Sequence, residues 1–524
     1  MARYIGNPIH FFIQDYYPGS LTYRPLGMFS WWLSYKLFGL NPILHNLVNP
    51  LLHVINTFLF ALLLGQLLGK RRWMILLSSL LFLVHPVAVS TSLWQGDRFD
   101  LLATGFILLT LYLFFRFLFT GRRVYLLSSL LASLGGILSK EVSFGLCLLV
   151  ALIFFAFPNL NEKGERSKRV FLLLPYFLIA LVLLIIRFSI LRGTSGALFG
   201  DGLIRTLGDG FLKWIRLMPD IYVPHVDVLG VGDFAKWMCI LYLLFLAVIL
   251  GSSIKGKRPI PWPLFLLGFG IIGISGILMA PVMNFSTFVD PREGVSFFVV
   301  IEGRFYYLSL IGFVVILDGS LVLIDSFFAD RRPVRRYSKL LVPFSVVALF
   351  PYALSSLALG QGWNELTNGR ERRLVELAGQ AVQQVPSIVQ GTKVFLLGTE
   401  QHSHFREFGD TILKSIAPEN SKVIHCLVFT EKPPWYNFVL KEDAEKVEIK
   451  PLRYMRYRGK EFPPGAAGGY VHFFFTFPDG DEIVKDPRAV FLEFLAGEEK
   501  FVDVTEDVRA GRRAVRFFND RPVS

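Results

Sequence analysis

Long apolar runs, separated by short polar joints, occupy most of residues 41–359. A helix needs roughly 20 such residues to cross a hydrocarbon core of about 30 Å, and most of the runs approach that length. We therefore predict an all-α polytopic membrane bundle of about ten spans. The predicted spans cover residues 43–68, 73–93, 99–119, 124–138, 142–157, 170–191, 234–254, 262–282, 305–328 and 339–359.

Two further stretches have a helical pattern. Residues 26–40 form an apolar run broken by serines, which is typical of a helix lying in the membrane interface. Residues 197–217, inside the long joint 192–233, carry apolar side chains near helical spacing and either lie along the outer surface or seal the bundle. With ten spans, residues 1–40 would lie on the outer side of the membrane. We therefore expect a further helix upstream of Met1. The alternative is that residues 26–40 are themselves a poor first span.

The pattern changes after Gly360. Residues 392–398 and 421–430 are strand-like apolar runs, and an Asp-Gly turn signal between two apolar runs predicts a hairpin within residues 469–484. We predict three parts of the chain. These are an outward loop with an interfacial helix over residues 1–40, the helical bundle over residues 41–359 and a soluble α/β domain over residues 360–524.

Composition supports a membrane protein and argues against a soluble enzyme. Hydrophobic residues make up 53% of the chain and charged residues only 18%, and the mean hydropathy is +0.49. The net charge of +13 would suit nucleic acid, but the charges sit in joints between apolar runs and not on a folded basic face. The three cysteines are scattered, without a disulfide framework or a zinc-binding pattern. A nucleic-acid partner is therefore not expected.

The positions of lysine and arginine orient the predicted bundle, because short joints rich in these residues stay in the cytoplasm. They collect in every second joint, at residues 70–72, 122–123, 163–169, 255–258 and 331–339. The alternate joints, and the whole domain after residue 360, must then face outward. We expect a multi-pass protein of the cell (inner) membrane with an extracytoplasmic C-terminal domain.

Charged residues cluster at three of the outward joints, close to the ends of predicted spans. The clusters are Asp97-Arg98 with Asp100, Lys140-Glu141, and Glu302 with Arg304. Charge at a bilayer boundary that faces other helices indicates a functional site. The alternatives are an exposed ion pair, a snorkelling pair and, because aromatic residues follow at 305–307, an anchor at the membrane edge.

A polar stripe runs along the first clear span. It consists of His45, Asn49, His53 and Asn56. Their spacing places them on one helical face, where they either bond neighbouring helices or line a pocket for a lipid phosphate or sugar. His85 lies inside or at the edge of a membrane-length segment, within residues 73–93, and is a further candidate.

Short motifs occur in a distinctive order between residues 22 and 307. They are Thr22-Tyr23-Arg24-Pro25-Leu26, Gly39-Leu40-Asn41-Pro42, His45-Asn46-Leu47-Val48-Asn49, His85-Pro86, Arg98-Phe99-Asp100-Leu101-Leu102-Ala103, Ser139-Lys140-Glu141 and Glu302-Gly303-Arg304-Phe305-Tyr306-Tyr307. As an ordered series they resemble the membrane part of the tetratricopeptide-repeat-bearing transmembrane O-mannosyltransferases and their bacterial relatives. These enzymes lie within the GT-C superfamily of polyprenyl-phosphate-sugar transferases.

The resemblance implies a GT-C-like fold and transfer of a sugar from a polyprenyl-phosphate donor to a protein, lipid or glycan acceptor on the outer face. A carboxylate would take the acceptor proton, and cations would bind the phosphate. The candidate catalytic carboxylates are Asp15, Asp97, Asp100, Glu141 and Glu302. The candidate substrate-binding residues are Arg24, His53, His85, Arg98, Lys140 and Arg304.

Two departures from the family pattern leave alternatives open. The acidic pair expected early in the first outward loop is missing, and the family's helical repeats are replaced by the predicted α/β domain. The chain is therefore a glycosyltransferase, a transporter or flippase of lipid-linked glycans, or an inactive family member. No cofactor is implied beyond the lipid-linked donor. No cluster of His and Asp residues has the spacing of metal ligands, so the sequence alone leaves open whether a divalent ion takes part. The sugar, the acceptor and the oligomeric state do not follow from the sequence.

Overall fold

Two compact units make up the chain, one formed by Met1–Tyr17 with Leu21–Gln361 and the other by Pro18–Ser20 with Gly362–Ser524. A computed structural model describes residues 8–13, 23–39, 41–157, 170–190, 203–222, 244, 247–255, 260–285, 303–328, 349, 352–354, 356–357, 376–377, 379, 393–397, 426–428, 455–457, 460–462, 487, 489–495 and 500–512.

The described part of the first unit is helical. Its helices are α1 (His10–Ile13), α2 (Pro25–Phe38), α3 (Pro42–Leu68), α4 (Arg72–Val84), α5 (Pro86–Leu93), α6 (Arg98–Thr120), α7 (Arg123–Ser139), α8 (Leu146–Ala156), α9 (Leu174–Ile190), α10 (Leu203–Tyr222), α11 (Trp262–Phe285) and α12 (Tyr307–Phe328). Short 3₁₀ turns lead into α6, α8, α9 and α12, at Gln95–Asp97, Glu141–Gly145, Val170–Leu173 and Gly303–Tyr306.

Five helical segments in the described ranges are long and apolar enough to cross a membrane. They are Ile43–Leu68, Gln95–Thr120, Val170–Ile190, Trp262–Ala280 and Arg304–Phe327. A sixth is present if α4 and α5, which meet at an angle of 49°, form one broken span. The prediction of an all-α membrane bundle is confirmed. The count of ten stays a prediction, because α7 and α8 are short and the runs at 234–254 and 339–359 lie mostly outside the described residues.

Local sequence signals explain several helix ends. The side chain of Asn41 caps α3 by accepting hydrogen bonds from the backbone N–H groups of Ile43 at 3.0 Å and Leu44 at 3.3 Å. Gly121 ends α6 with a φ of 67°, a left-handed conformation that glycine adopts without strain. The two additional stretches predicted to be helical form α2 and α10.

The apolar core of the first unit lies along α6 and α12. In the most apolar part of these two segments 56% and 67% of the residues are buried, compared with 17% in the segment that contains α9. Phe60, Phe114 and Val314 are among the fully buried side chains. A charged residue that enters the bundle beside α6 or α12 is therefore surrounded by protein, whereas α9 is peripheral.

The described part of the second unit contains short strands and one short helix. They are β1 (Lys393–Leu397), β2 (Cys426–Val428), β3 (Met455–Tyr457), β4 (Lys460–Phe462), β5 (Ala489–Leu495), β6 (Lys500–Asp503) and α13 (Thr505–Arg509). Four strands form a sheet in the order β2-β1-β5-β6, with β1 parallel to both β2 and β5, and β6 antiparallel to β5. The strands β3 and β4 form a separate antiparallel pair. The predicted hairpin at 469–484 lies outside the described residues.

Two glycines allow α11 and α12 to cross closely. A Cβ atom at Gly268 would lie 2.7 Å from the backbone oxygen of Gly312, and one at Gly312 would lie 2.6 Å from the backbone oxygen of Gly268. Small residues at a helix crossing let two backbones approach, which is the usual way that membrane helices pack. Gly273, also on α11, has open space at its Cβ position.

Gly268→Ala is expected to destabilise the bundle by about 1–3 kcal/mol, because the added methyl group overpacks the crossing. Gly273→Ala is the matched control on the same helix, and it should be neutral or stabilising by up to about 1 kcal/mol, since alanine favours a helix over glycine. Thermal unfolding of both purified variants in detergent measures the difference. Equal melting temperatures would contradict the close crossing.

Candidate active site

The helices α4 and α5 are interrupted at His85, within a segment long enough to span the membrane. His85 is fully buried and caps α5, because its Nδ1 accepts a hydrogen bond from the backbone N–H of Val87 at 3.2 Å. Its Nε2 lies 3.4 Å from the carbonyl oxygen of Tyr222, the last residue of α10. Both ring nitrogens therefore contact backbone, which gives this predicted substrate-binding residue a structural position.

The break frees backbone carbonyl groups that lipid cannot satisfy. Nε2 of His53, on α3, lies 3.1 Å from the carbonyl oxygen of Leu83. The hydroxyl of Ser356 donates to the carbonyl oxygen of Val84 at 2.6 Å. Nδ1 of His53 lies 2.8 Å from the hydroxyl of Tyr307. His53, also predicted to bind substrate, thus connects the broken span to α12.

The polar stripe on α3 holds the chain on both sides of the joint before α6. Asn49 Nδ2 donates to the carbonyl oxygen of Trp94 at 2.8 Å, and Asn56 Nδ2 donates to that of Leu101 at 2.9 Å. His45, at the end of the stripe, is only partly buried. The three buried members of the stripe bond neighbouring helices, which is the first of the two alternatives for this pattern.

The guanidinium group of Arg98 is buried, with the residue only 1% exposed, and its donors are directed to protein acceptors. The acceptors are Asn49 Oδ1 at 3.0 Å, Ser34 Oγ at 2.9 Å, Gln95 Oε1 at 3.0 Å and the carbonyl oxygen of His45 at 3.3 Å. These contacts join α2 and α3 to the first turn of α6. Arg98 therefore occupies a structural position beside the site, and the phosphate contact expected of it stays a prediction.

Four ion pairs connect distant parts of the described chain at one end of the bundle. The pairs are Arg304–Asp97 at 3.3 Å, Lys140–Asp100 at 2.5 Å, Arg24–Glu141 at 2.8 Å and Arg187–Glu141 at 2.9 Å. Lys140 and Glu141 are neighbours in sequence but hold different partners. The snorkelling-pair alternative for these two residues is therefore wrong.

The surroundings of Lys140, between α7 and α8, show that these ion pairs adjoin. Burial lowers the pKa of Lys140, the contact with Asp100 opposes that effect, and the charges of Arg24 and Arg304 lower the pKa further. In addition, Lys140 Nζ lies 5.7 Å from the ring centroid of Phe305, and the guanidinium carbon of Arg304 lies 4.6 Å from the same centroid. The described members of the three outward clusters therefore meet in one place.

Arg304 is packed between two aromatic rings. Its guanidinium carbon lies 4.3 Å from the ring centroid of Trp94 and 4.6 Å from that of Phe305. Tyr306 and Tyr307 are fully buried, and both hydroxyls make hydrogen bonds inside the bundle. The alternative that residues 305–307 form an anchor at the membrane edge is therefore wrong.

Arg187 belongs to this cluster although it was not among the predicted site residues. It is the single charged residue in the apolar run 170–190, near the end of α9. Its isolation was the available signal, because a charge inside a membrane-length helix is expected to face protein. Its partner Glu141 could not be inferred from spacing.

Charges near the other end of α12 form a separate group. Asp325 lies 3.8 Å from Arg71, and Asp318 accepts a hydrogen bond from Ser78 at 2.7 Å. A helical rise of about 1.5 Å per residue places Asp325 about 30 Å from Arg304, which is the thickness of a hydrocarbon core. The four ion pairs thus lie at one boundary of the bundle.

Two predicted catalytic carboxylates, Asp15 and Glu302, lie outside the described residues. Within the described ranges, no group of three His, Cys, Asp or Glu side chains is placed to hold a metal ion. The observed candidate site consists of paired carboxylates and cations, and this arrangement can bind an anion and accept a proton.

Known proteins are similar in sequence to part of this chain. The family model described as dolichyl-phosphate-mannose-protein mannosyltransferase matches residues 23–189. Mouse protein O-mannosyl-transferase TMTC2 is 36% identical over 109 residues, which cover 20% of this chain and 13% of the relative. Human protein O-mannosyl-transferase TMTC1 is 30% identical over 159 residues, which cover 28% of this chain and 18% of the relative. The Tmtc1 protein of Drosophila melanogaster is 28% identical over 145 residues, covering 28% and 17%.

The matched region contains most of the described site. It includes every member of the four ion pairs except Arg304. The chain spans less than a fifth of the length of each of these relatives. Over residues 23–189 the predicted resemblance to the GT-C glycosyltransferases of the protein O-mannosyltransferase type is confirmed.

Proposed function

We propose that this protein is an integral-membrane glycosyltransferase that moves a sugar from a polyprenyl-phosphate donor to an acceptor hydroxyl at the outer face of the membrane. The observation that carries the proposal is the meeting of charged side chains from distant parts of the chain at one end of an apolar bundle. The match of residues 23–189 to a mannosyltransferase family supports the chemistry of sugar transfer.

The charge balance of the cluster suits an anionic leaving group. Among the described members of the four ion pairs, cations outnumber carboxylates by one. The cations are Arg24, Lys140, Arg187 and Arg304, and the carboxylates are Asp97, Asp100 and Glu141. Cations already in place where phosphate charge develops lower the barrier to transfer, and arginine matches phosphate geometry. A bound phosphate would compete with Glu141 for its two arginines.

The positions of the basic joints support an outward-facing site. Residues 70–72 and 122–123 follow the ends of α3 and α6 that lie away from the cluster. The positive-inside rule assigns that end to the cytoplasm. We extend this orientation to ten spans in the cell (inner) membrane, with residues 360–524 forming an extracytoplasmic α/β domain.

In the proposed reaction the acceptor oxygen bonds to the anomeric carbon of the sugar. The bond from that carbon to the phosphate oxygen breaks, and polyprenyl phosphate leaves with the electron pair. A carboxylate of the site takes the acceptor proton, while the cations stabilise the phosphate. Because the relatives are named protein O-mannosyl-transferases, mannose and a protein hydroxyl are the first donor sugar and acceptor to test.

A donor panel tests the proposed function. The purified full chain in lipid nanodiscs is mixed with polyprenyl-phosphate mannose, glucose or galactose, and release of polyprenyl phosphate is measured. We expect protein-dependent release from at least one donor. Movement of a labelled donor across a vesicle bilayer without release would favour the flippase alternative. Release from none of the donors would contradict the transferase.

Lys140→Met is expected to destabilise the protein by about 3–5 kcal/mol, because it leaves Asp100 buried without its cation. The double variant Lys140→Met/Asp100→Leu removes both charges and should recover most of the stability while turnover stays lost. Lys36→Met, at an exposed lysine of α2, is the control and should change neither. Melting temperature and polyprenyl phosphate release are measured for each. Recovery of turnover in the double variant would show that the pair has no part in transfer.

A further inference from the structure

The three described carboxylates of the site differ in how their oxygens are satisfied. Both oxygens of Asp100 accept from Lys140 Nζ, at 2.5 and 2.6 Å. Both oxygens of Glu141 are held by arginines, Oε2 by Arg24 at 2.8 Å and Oε1 by Arg187 at 2.9 Å. Each oxygen of these two carboxylates is thus held by a cation in the structure.

Asp97 is different. Its Oδ1 accepts one long hydrogen bond, at 3.3 Å, from Arg304. Its Oδ2 is buried and has no hydrogen-bond partner among the described residues. A buried carboxylate oxygen without a donor is costly, and native structures keep such groups mainly where function requires them. The unpartnered oxygen therefore indicates a group reserved for a ligand.

The position of Asp97 suits contact with a ligand at the edge of the bundle. It ends the 3₁₀ turn Gln95–Asp97 and follows Trp94, Gln95 and Gly96, which are all partly exposed. The charges that act on Asp97 are those of Arg304, Asp100 and Lys140. A proton acceptor thus lies beside two cations that can bind a phosphate, which is the juxtaposition that sugar transfer from a phosphate requires.

We propose that Asp97 is the general base of the transfer, with Oδ2 as the atom that receives the proton. The acceptor O–H bond breaks, its proton goes to Oδ2, and the acceptor oxygen forms the bond to the anomeric carbon. The bond between that carbon and the phosphate oxygen breaks, and the phosphate takes the electron pair beside Arg304. This assignment rests on the proposed function, and it selects one carboxylate from the candidates.

Asp97→Ala and Asp97→Asn in the full chain, in nanodiscs, test the assignment with a polyprenyl-phosphate sugar that the unmodified protein turns over and with water as the acceptor. We expect kcat to fall about 10²- to 10⁴-fold in both variants, with KM for the donor unchanged or lower, because the base is lost while the cations remain. Asp97→Asn keeps the shape of the side chain, and its melting temperature reports whether the fold is intact.

Azide separates a base from a residue that merely neutralises Arg304. Azide attacks without a proton to lose, so it should restore donor turnover in Asp97→Ala and yield the glycosyl azide. Asp325→Asn is the matched control, since Asp325 also faces an arginine, Arg71, but at the other end of α12. It should leave kcat and KM unchanged.

Three results would overturn the assignment of Asp97. They are an unchanged kcat in both variants, a loss that appears only in KM, and the absence of glycosyl azide from Asp97→Ala. The proposed function itself fails in a different way, because the unmodified protein would then release polyprenyl phosphate from no donor. In that case the assignment falls with it.

Discussion

Hydrogen bonding across a broken membrane span is the constraint on which the rest of the first unit depends. Lipid neither donates to nor accepts from the backbone groups freed between α4 and α5, so protein side chains must satisfy them. His53 lies at the carbonyl of Leu83, Ser356 donates to that of Val84, and His85 caps α5. These partners lie on separate parts of the chain. The break is therefore stable only once the bundle has assembled around it.

The break in turn determines where the charged residues stand. After the break, α5 leads to the 3₁₀ turn Gln95–Asp97. Asn49 donates a hydrogen bond to the carbonyl oxygen of Trp94, the residue just before this turn. Arg98, in the first turn of α6, donates hydrogen bonds to Asn49 on α3 and Ser34 on α2, and so joins α6 to both helices. With the chain held on both sides, Asp97 faces Arg304, in the 3₁₀ turn before α12, and Asp100 faces Lys140, between α7 and α8.

The resulting ion pairs are better explained by function than by stability. A buried ion pair gains little over apolar side chains of similar volume, because taking two charges out of water is expensive. At the other end of α12 the corresponding group is smaller, with Asp318 held by Ser78 and a looser contact between Arg71 and Asp325. The concentration of paired charge at one boundary, next to aromatic rings, is the pattern of a site that binds an anion.

The sequence by itself determined the membrane class, the bounds of the main helices to within a few residues and the joints that carry charge. It could do so because hydropathy and helical period are local properties of the chain. Tertiary structure alone decided the partners. Arg304 and Asp97 are 207 residues apart, and Arg24 and Glu141 are 117 apart. Only the packing of helices could show that Arg187 joins the site while histidines and one arginine of the motifs support the backbone, because a side chain's role depends on which helix it faces.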